Sequence, residues 1–439
     1  DAPVGPGGAP LVHRRPDEAQ ARYLSSSEFC GSCHDVRLFG TDVLGAKKGE
    51  TFKRLRNAYT EWREWASLEK RSGREPATCQ GCHMSAFPGV CVPDAESDGD
   101  TYCPDGSRWE KRAPGVYPQG RVAMSSEETV TVTTHYLTGV DLPLSREYPK
   151  ELLDEDALDV AGIPVSPKVR REALIRAAFA FDVGEARLRG DRLEIPIAIE
   201  NVGAGHRVPA GFSQEREIWV HLKVTDGRGR VLYEVGRVDR PDEDLRDKIF
   251  ERVNTDPTLV DVIGRPVGMF GADVRDGPDK PEWSPPPDFG GTRFRGKGLV
   301  NFQNGFLRCV QCIGVIAADG SCQPLPGQER RRADRFDDGS YDIDTGACVS
   351  NLSGEHALFE TYFPVGALDA TRGVPKAPDA IIDTRSLPPK VPITYTYDLD
   401  VGRAPGPFKI EARLLFRAFP PFLIKAFAAY ERAMDRLGR

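Results

Sequence analysis

Apolar and polar residues alternate most regularly in the second half of the chain. The stretches "RLEIPIAIEN" (192–201), "EIWVHLKVTD" (217–226), "VLYEVGRV" (231–238), "ALFETYFPVG" (357–366), "VPITYTYDLD" (391–400) and "FKIEARLLFR" (408–417) each return an apolar side chain at every second position or hold a short apolar run. Such segments read as strands with one face turned to a core. "REALIRAAFAF" (171–181) reads as a further strand opening the series. Asp226-Gly227 and Arg228-Gly229 are turn pairs between two of the strands. The pattern predicts an antiparallel β-sandwich domain over residues 166–439, with an immunoglobulin-like topology as one arrangement that fits. From about 240 to 354 prolines, glycines and charges break the alternation, which reads as a long irregular insertion. From about 421 to 437, Phe422, Phe427, Tyr430 and Met434 predict a short closing helix.

The first half has a different period. In "ETFKRLRNAYTEWREWASLEKRSG" (50–73), Phe52, Leu55, Tyr59, Trp62 and Ala66 recur at steps of three and four, so one face of a helix is apolar. Lys70 and Arg71 suit its last turn, and Gly73 is a natural stop. Around this helix residues 1–165 are loop-rich. The expected class is therefore α+β, with a small helical domain ahead of the sandwich.

Composition narrows the function. The chain has 439 residues, enough for two or three domains, and a formal net charge of −7 with charges of both signs mixed. No basic stripe argues for nucleic acid as a partner. No apolar run is long enough to span a bilayer. The 36 prolines and 44 glycines fit a loop-rich secreted chain. The opening "DAPVGPGGAP" reads as the end left by removal of a signal peptide, with simple truncation as the other reading. Export to the periplasm or the cell surface is the expectation.

The chemistry lies in the cysteines. Cys30-Gly31-Ser32-Cys33-His34 and Cys79-Gln80-Gly81-Cys82-His83 are two Cys-x-x-Cys-His pentapeptides. Two thiols at this spacing can add to the two vinyl groups of one haem, and the next residue then lies under the iron as its proximal ligand. A structural zinc site built from Cys30, Cys33, Cys79 and Cys82, or ordinary disulfides, would leave both histidines unexplained. Two covalent haem c groups, with His34 and His83 on the irons, are expected.

"FCGSCHDV … YTEWREWA … TCQGCHM" resembles a segment of the multihaem c-type cytochromes of bacteria and archaea, over roughly residues 25–145. The resemblance implies a dihaem cytochrome c domain, electron transfer through closely spaced haems, and histidine on both faces of each iron. It departs from the larger members in having two complete motifs only. It also implies a distal ligand from a His-x-x-x-Gly stretch such as "HYLTG", which makes His135 the first candidate. His206, in the glycine-rich turn "ENVGAGHRVPAG", is the second candidate, and a plain surface-turn role stays open for it. His13 ranks lower, and His221 and His356 read as structural. Of the methionines, Met84 adjoins a proximal histidine, and nothing singles out Met124.

Six cysteines remain: Cys91, Cys103, Cys309, Cys312, Cys322 and Cys348, an even number that suits disulfides in an oxidising compartment. "RCVQCIG" (308–314) keeps the pair spacing but has Ile313 where the ligand would stand, so disulfides stapling the insertion are the expectation, with no pairing deducible. Between Cys91 and Cys103, Asp94, Glu96, Asp98 and Asp100 alternate around Gly99, which raises a calcium loop. Glu96 and Asp105 depart from that motif, and a solvated, disulfide-closed loop stays the other reading. Segment 337–344 raises the same thought more weakly.

Three functions follow in order. First is an exported dihaem carrier passing electrons between redox proteins. Second is a haem enzyme with one open iron, acting on peroxide or a nitrogen or sulfur oxyanion. Third is a cytochrome subunit of a larger redox complex or polymer.

Overall fold

The computed structural model describes residues 17–38, 42–44, 53–56, 58–84, 89–92, 108–111, 119–121, 129–131, 134–140, 154–158, 163–211, 213, 216–238, 293–297, 299–302, 305–312, 315–316, 322–324, 327, 336–338, 340–342, 347–349, 355–361, 380–382 and 386–421, with positions 424, 428, 431–432 and 435–436 beyond. Helices and largely antiparallel sheets are both present, so the class is α+β.

Two compact units divide the chain. One comprises Asp1–His34 and Ala66–Leu174; the other comprises Asp35–Trp65 and Ile175–Arg439.

The second unit is built on the strands that alternation predicts. Arg192–Asn201 buries every second residue, with Leu193, Ile195, Ile197 and Ile199 inward. It pairs antiparallel with Ile393–Asp400, register Ile195↔Tyr397 and Ile197↔Tyr395, and on its other edge with Phe179–Val183. A second sheet joins Glu217–Thr225 to Val231–Val235 and Lys409–Arg417, again antiparallel. Ile218, Val220, Leu222 and Val224 from this sheet lie in the same buried cluster as the isoleucines and Tyr395 and Tyr397. Each such side chain, taken fully out of water, stabilises the fold by about 1.5–3 kcal/mol before conformational entropy is set against it.

Within the stretch read as an irregular insertion, Arg293–Gly296 runs parallel to Ile393–Asp400, and Leu299, Val300 and Phe302 are fully buried in the shared core. This part of the insertion is therefore core. Another sheet gathers Gly305–Cys312, Phe336–Asp338, Glu355–Thr361, Ala380–Ile382 and Asp42–Leu44. Past residue 420 the described positions are helical, while Phe422, Phe427, Tyr430 and Met434 lie outside the described residues.

Two predicted elements differ. "REALIRAAFAF" is a helix, Pro167–Ala178, followed by the strand Phe179–Val183. Proline at the first helical position and Glu, Ala, Leu and Arg behind it favour helix, and the apolar residues alone could not separate the two periods. The helix expected over 50–73 begins only at Ala58 and runs to Arg71, because Lys53–Arg56 is a strand paired antiparallel with Val36–Leu38. Lys70 and Arg71 do occupy its last turn, and Gly73, at φ +74°, ends it in the left-handed region that glycine tolerates best.

Candidate functional site

Both Cys-x-x-Cys-His motifs belong to the first unit. Helix α1 (Glu18–Leu24) starts at Asp17, whose carboxylate accepts from Gln20 N while Gln20 reaches back to Asp17 N, a reciprocal cap. Helix α2 (Ser27–Gly31) carries Cys30, and the coil continues past its end: Cys33 N and His34 N both donate to Cys30 O, at 3.1 and 2.9 Å. After helix α3 (Ala58–Arg71), helix α4 (Cys79–His83) carries the whole second motif. Its N-cap, Thr78, accepts from Gly81 N at 3.0 Å. On a helical turn, positions three apart share a face, so each cysteine pair presents both sulfurs to one side.

The motifs pin each other. Cys79 N donates to Ser27 Oγ at 3.0 Å, and the Gln80 side-chain amide donates to Leu24 O at 3.1 Å and Ser26 O at 2.7 Å. Gln80 is buried, and the Cys30 and Cys79 thiols are hydrogen-bonded to each other. Nothing in the residue pattern marked Gln80. It fills a variable position of its motif, and its role depends on where 24–26 come to lie.

Burial, helped by Cys79 alongside, pushes the Cys30 thiol up to about 11. Burial likewise raises Cys82 to about 12 and Cys79 above the usual thiol range. The neutral thiol is the form that this packing favours at Cys30, Cys79 and Cys82. Among the described residues no group of three or more His, Cys, Asp or Glu is arranged to hold a metal ion.

His83 is the most constrained of the candidate ligands. Its Nδ1 lies 2.6 Å from Thr138 O, and Thr138 N donates back to His83 O at 3.0 Å. A carbonyl only accepts, so Nδ1 carries the proton, and in the neutral ring Nε2 is then the unprotonated nitrogen. That is the tautomer an iron ligand needs, with a carbonyl behind it to orient the ring. His34 and Cys33 are exposed. The donor set therefore fits two covalently held haems, each with sulfurs on one turn and an imidazole directly after.

His135 is exposed and sits in the segment that holds His83, between Thr134, whose Oγ1 donates to Met84 O at 2.7 Å, and Thr138. His206 belongs to the second unit. Its Nδ1 lies 2.9 Å from Arg207 O, which makes that nitrogen the donor, and burial lowers its pKa and keeps the ring neutral. The turn around it is tightly built: Asn201 Nδ2 donates to His206 O, Arg207 N donates to Glu61 Oε2, and a side chain on Gly205 would strike the Trp65 ring at 2.6 Å. Gly205 serves that close approach, and Gly203 serves another, to the Ala177 carbonyl. His221 Nε2 is 3.0 Å from Glu234 Oε1. In helix α3, Tyr59 and Trp62 stack at 5.9 Å between ring centroids.

Cys309 and Cys312 occupy the strand Gly305–Cys312. Cys91, Cys322, Cys348 and His356 also sit on described backbone, but the disulfide reading depends on side chains outside the described set. Asp94, Glu96, Asp98, Asp100, Cys103 and His13 lie outside the described residues, and the calcium reading with them. Among the described residues no helix is long and apolar enough to cross a membrane.

No family model matches the chain, and no curated protein matches it. Among solved structures it is similar to a penta-heme cytochrome c552 from Thermochromatium tepidum, at 12% identity and a TM-score of 0.37, over 97% of this chain. The chain spans 57% of that protein's length.

Proposed function

We propose that the chain is an exported dihaem c-type cytochrome that carries electrons between redox proteins. The observation that carries this reading is the second motif: two cysteines on one helical turn, followed by a histidine whose Nδ1 proton is committed to a backbone carbonyl 2.6 Å away. Haem, when bound, supplies a reversible one-electron change at iron. The chain's own residues do the rest. Cys30, Cys33, Cys79 and Cys82 hold the two groups as thioethers, so neither is lost outside a cell. His34 and His83 would hold the irons, and Gln80 with Ser27 keeps the two motifs in register with each other.

His135 and His206 are the proposed distal ligands, each with a different warrant: one exposed on the segment that orients His83, the other neutral with Nε2 as its acceptor. The second unit, read as a β-sandwich, supports the haem unit or docks a redox partner, including other cytochrome subunits in a complex. Disulfides among Cys309, Cys312, Cys322 and Cys348 belong to the same picture of an exported protein.

Covalent haem counted per chain, with electron paramagnetic resonance on the oxidised protein, tests this. Two haems and two low-spin ferric signals are expected. C30S/C33S and C79S/C82S should each lose one haem and keep the other, and His135→Ala should turn one signal high-spin. A parent protein with no covalent haem overturns the proposal; one high-spin signal in the parent moves the open-iron enzyme to first place.

A further inference from the structure

Residues 134–138 grip the second motif at two points, through Thr134 Oγ1 on Met84 O and through the paired bonds between Thr138 and His83. Between those points lie two features that neither haem attachment nor iron ligation explains. Leu137 is in the left-handed region, at φ +48°, and is 64% exposed. A bulky side chain neither prefers that conformation nor gains burial by adopting it, so its neighbours must hold it there.

Tyr136, beside it, lies under the Arg170 guanidinium, 4.0 Å from the carbon to the ring centroid. Arg170 is itself buried and fixed, donating from one nitrogen to Pro164 O at 2.9 Å and Val165 O at 2.6 Å. A planar cation packed this closely on an aromatic face holds both ring and backbone. The chain of contacts thus runs from the start of helix α5 (Pro167–Ala178) through Arg170 and Tyr136 to the carbonyl that receives the His83 proton.

We infer that Tyr136, Leu137 and Arg170 are positioning residues for His83: they lock the 134–138 strap and so set the strength of the His83–Thr138 hydrogen bond and the redox potential at the iron His83 would hold. The inference rests on the dihaem reading. A firm bond at Nδ1 makes the imidazole a more electron-rich ligand, which favours the ferric state; a slack strap weakens the bond and raises the potential.

The test uses the full-length, haem-loaded protein and paired substitutions that leave net charge unchanged. Tyr136→Leu removes the ring and Tyr136→Phe keeps it. Leu137→Val puts a β-branched residue where φ is positive, and Leu137→Gly allows that φ freely. Arg170→Lys keeps the charge and loses the flat stacking partner. Haem per chain, both midpoint potentials and the solvent exchange of the axial-histidine Nδ1 protons are read for each.

Two haems are expected throughout. In Y136L and L137V one midpoint should rise while the other holds, and one Nδ1 proton should exchange at least severalfold faster. Y136F and L137G should match the parent, and R170K should shift the same midpoint the same way by less. Two haems with both potentials unmoved in Y136L and L137V, or both potentials moving together, overturn the inference. A parent without two covalent haems overturns the dihaem reading instead, and the haem count separates that failure from the first.

Discussion

Gln80 and the thiols beside it show how much of this site is set by single buried groups. The Gln80 amide serves two carbonyls, Leu24 O and Ser26 O, that belong to the approach to the other motif. Gln80→Leu keeps the volume and strands both acceptors, so the protein should lose about 1–3 kcal/mol, read as a lower urea midpoint with the parent's haem content unchanged. The thiols give a dependence on pH. Cys30 and Cys82 sit at about 11 and about 12 against an ordinary value of 9.0, so their folded-state pKa values are raised. The neutral thiol is the form the fold favours. Its contribution is complete below pH 9 and is lost as pH climbs from there toward the folded values. A thioether has no such proton. The haem-free chain should therefore lose stability between about pH 9 and pH 11 more steeply than the haem-loaded protein, compared by urea unfolding across that range.

Asp226 shows the same logic in a turn between strands. Its carboxylate accepts from Arg228 N and Arg230 N, both at 2.9 Å, and so closes the connection from Glu217–Thr225 to Val231–Val235. The Arg230 backbone N–H, together with that of Arg228 and the Arg230 side chain, outweighs the effect of burial and holds the carboxyl below the usual range. A depressed folded value means the stabilisation is present above the ordinary carboxylate pKa and disappears as pH falls through the folded one. Asp226→Ala should lower the melting temperature at pH 7, and the gap from the parent should close as the pH falls below the ordinary carboxylate value and through the depressed folded one. A gap that persists in acid would show that the Asp226 side chain supports the turn without its charge.

The two compact units interleave along the chain, and this governs how the protein can be cut. Residues 35–65 belong with 175–439, and within that unit Trp65 lies against Gly205, Glu61 accepts from Arg207 N, and the Lys390 ammonium stands 6.0 Å from the Trp65 ring centroid. A fragment 166–439 lacks all of these partners. It should melt below the second unit of the intact chain, and a peptide spanning 35–65 should restore part of the loss, both measurable by circular dichroism. A fragment that melts as the intact protein does would show that the strands of 175–439 are self-sufficient.

Alternation was enough to read the strands Arg192–Asn201, Glu217–Thr225, Ile393–Asp400 and Lys409–Arg417, because a two-residue period with one buried face is a local property of the chain. The Cys-x-x-Cys-His pentapeptides were equally plain as motifs, since five adjacent residues contain the whole donor set that the proposed haem attachment needs. Residues 171–178 could not be assigned from apolar content, where helix and strand look alike until proline at the first helical turn is weighed. Gln80, Tyr136, Arg170 and the Thr138 carbonyl had no local signature at all. Each acts on a group 50 or more residues away or through an intermediary, and a backbone carbonyl is the same in every residue. Spacing along the chain chose the candidate ligands; folding chose the hydrogen bonds and packed rings around them, because those depend on which distant backbone arrives alongside.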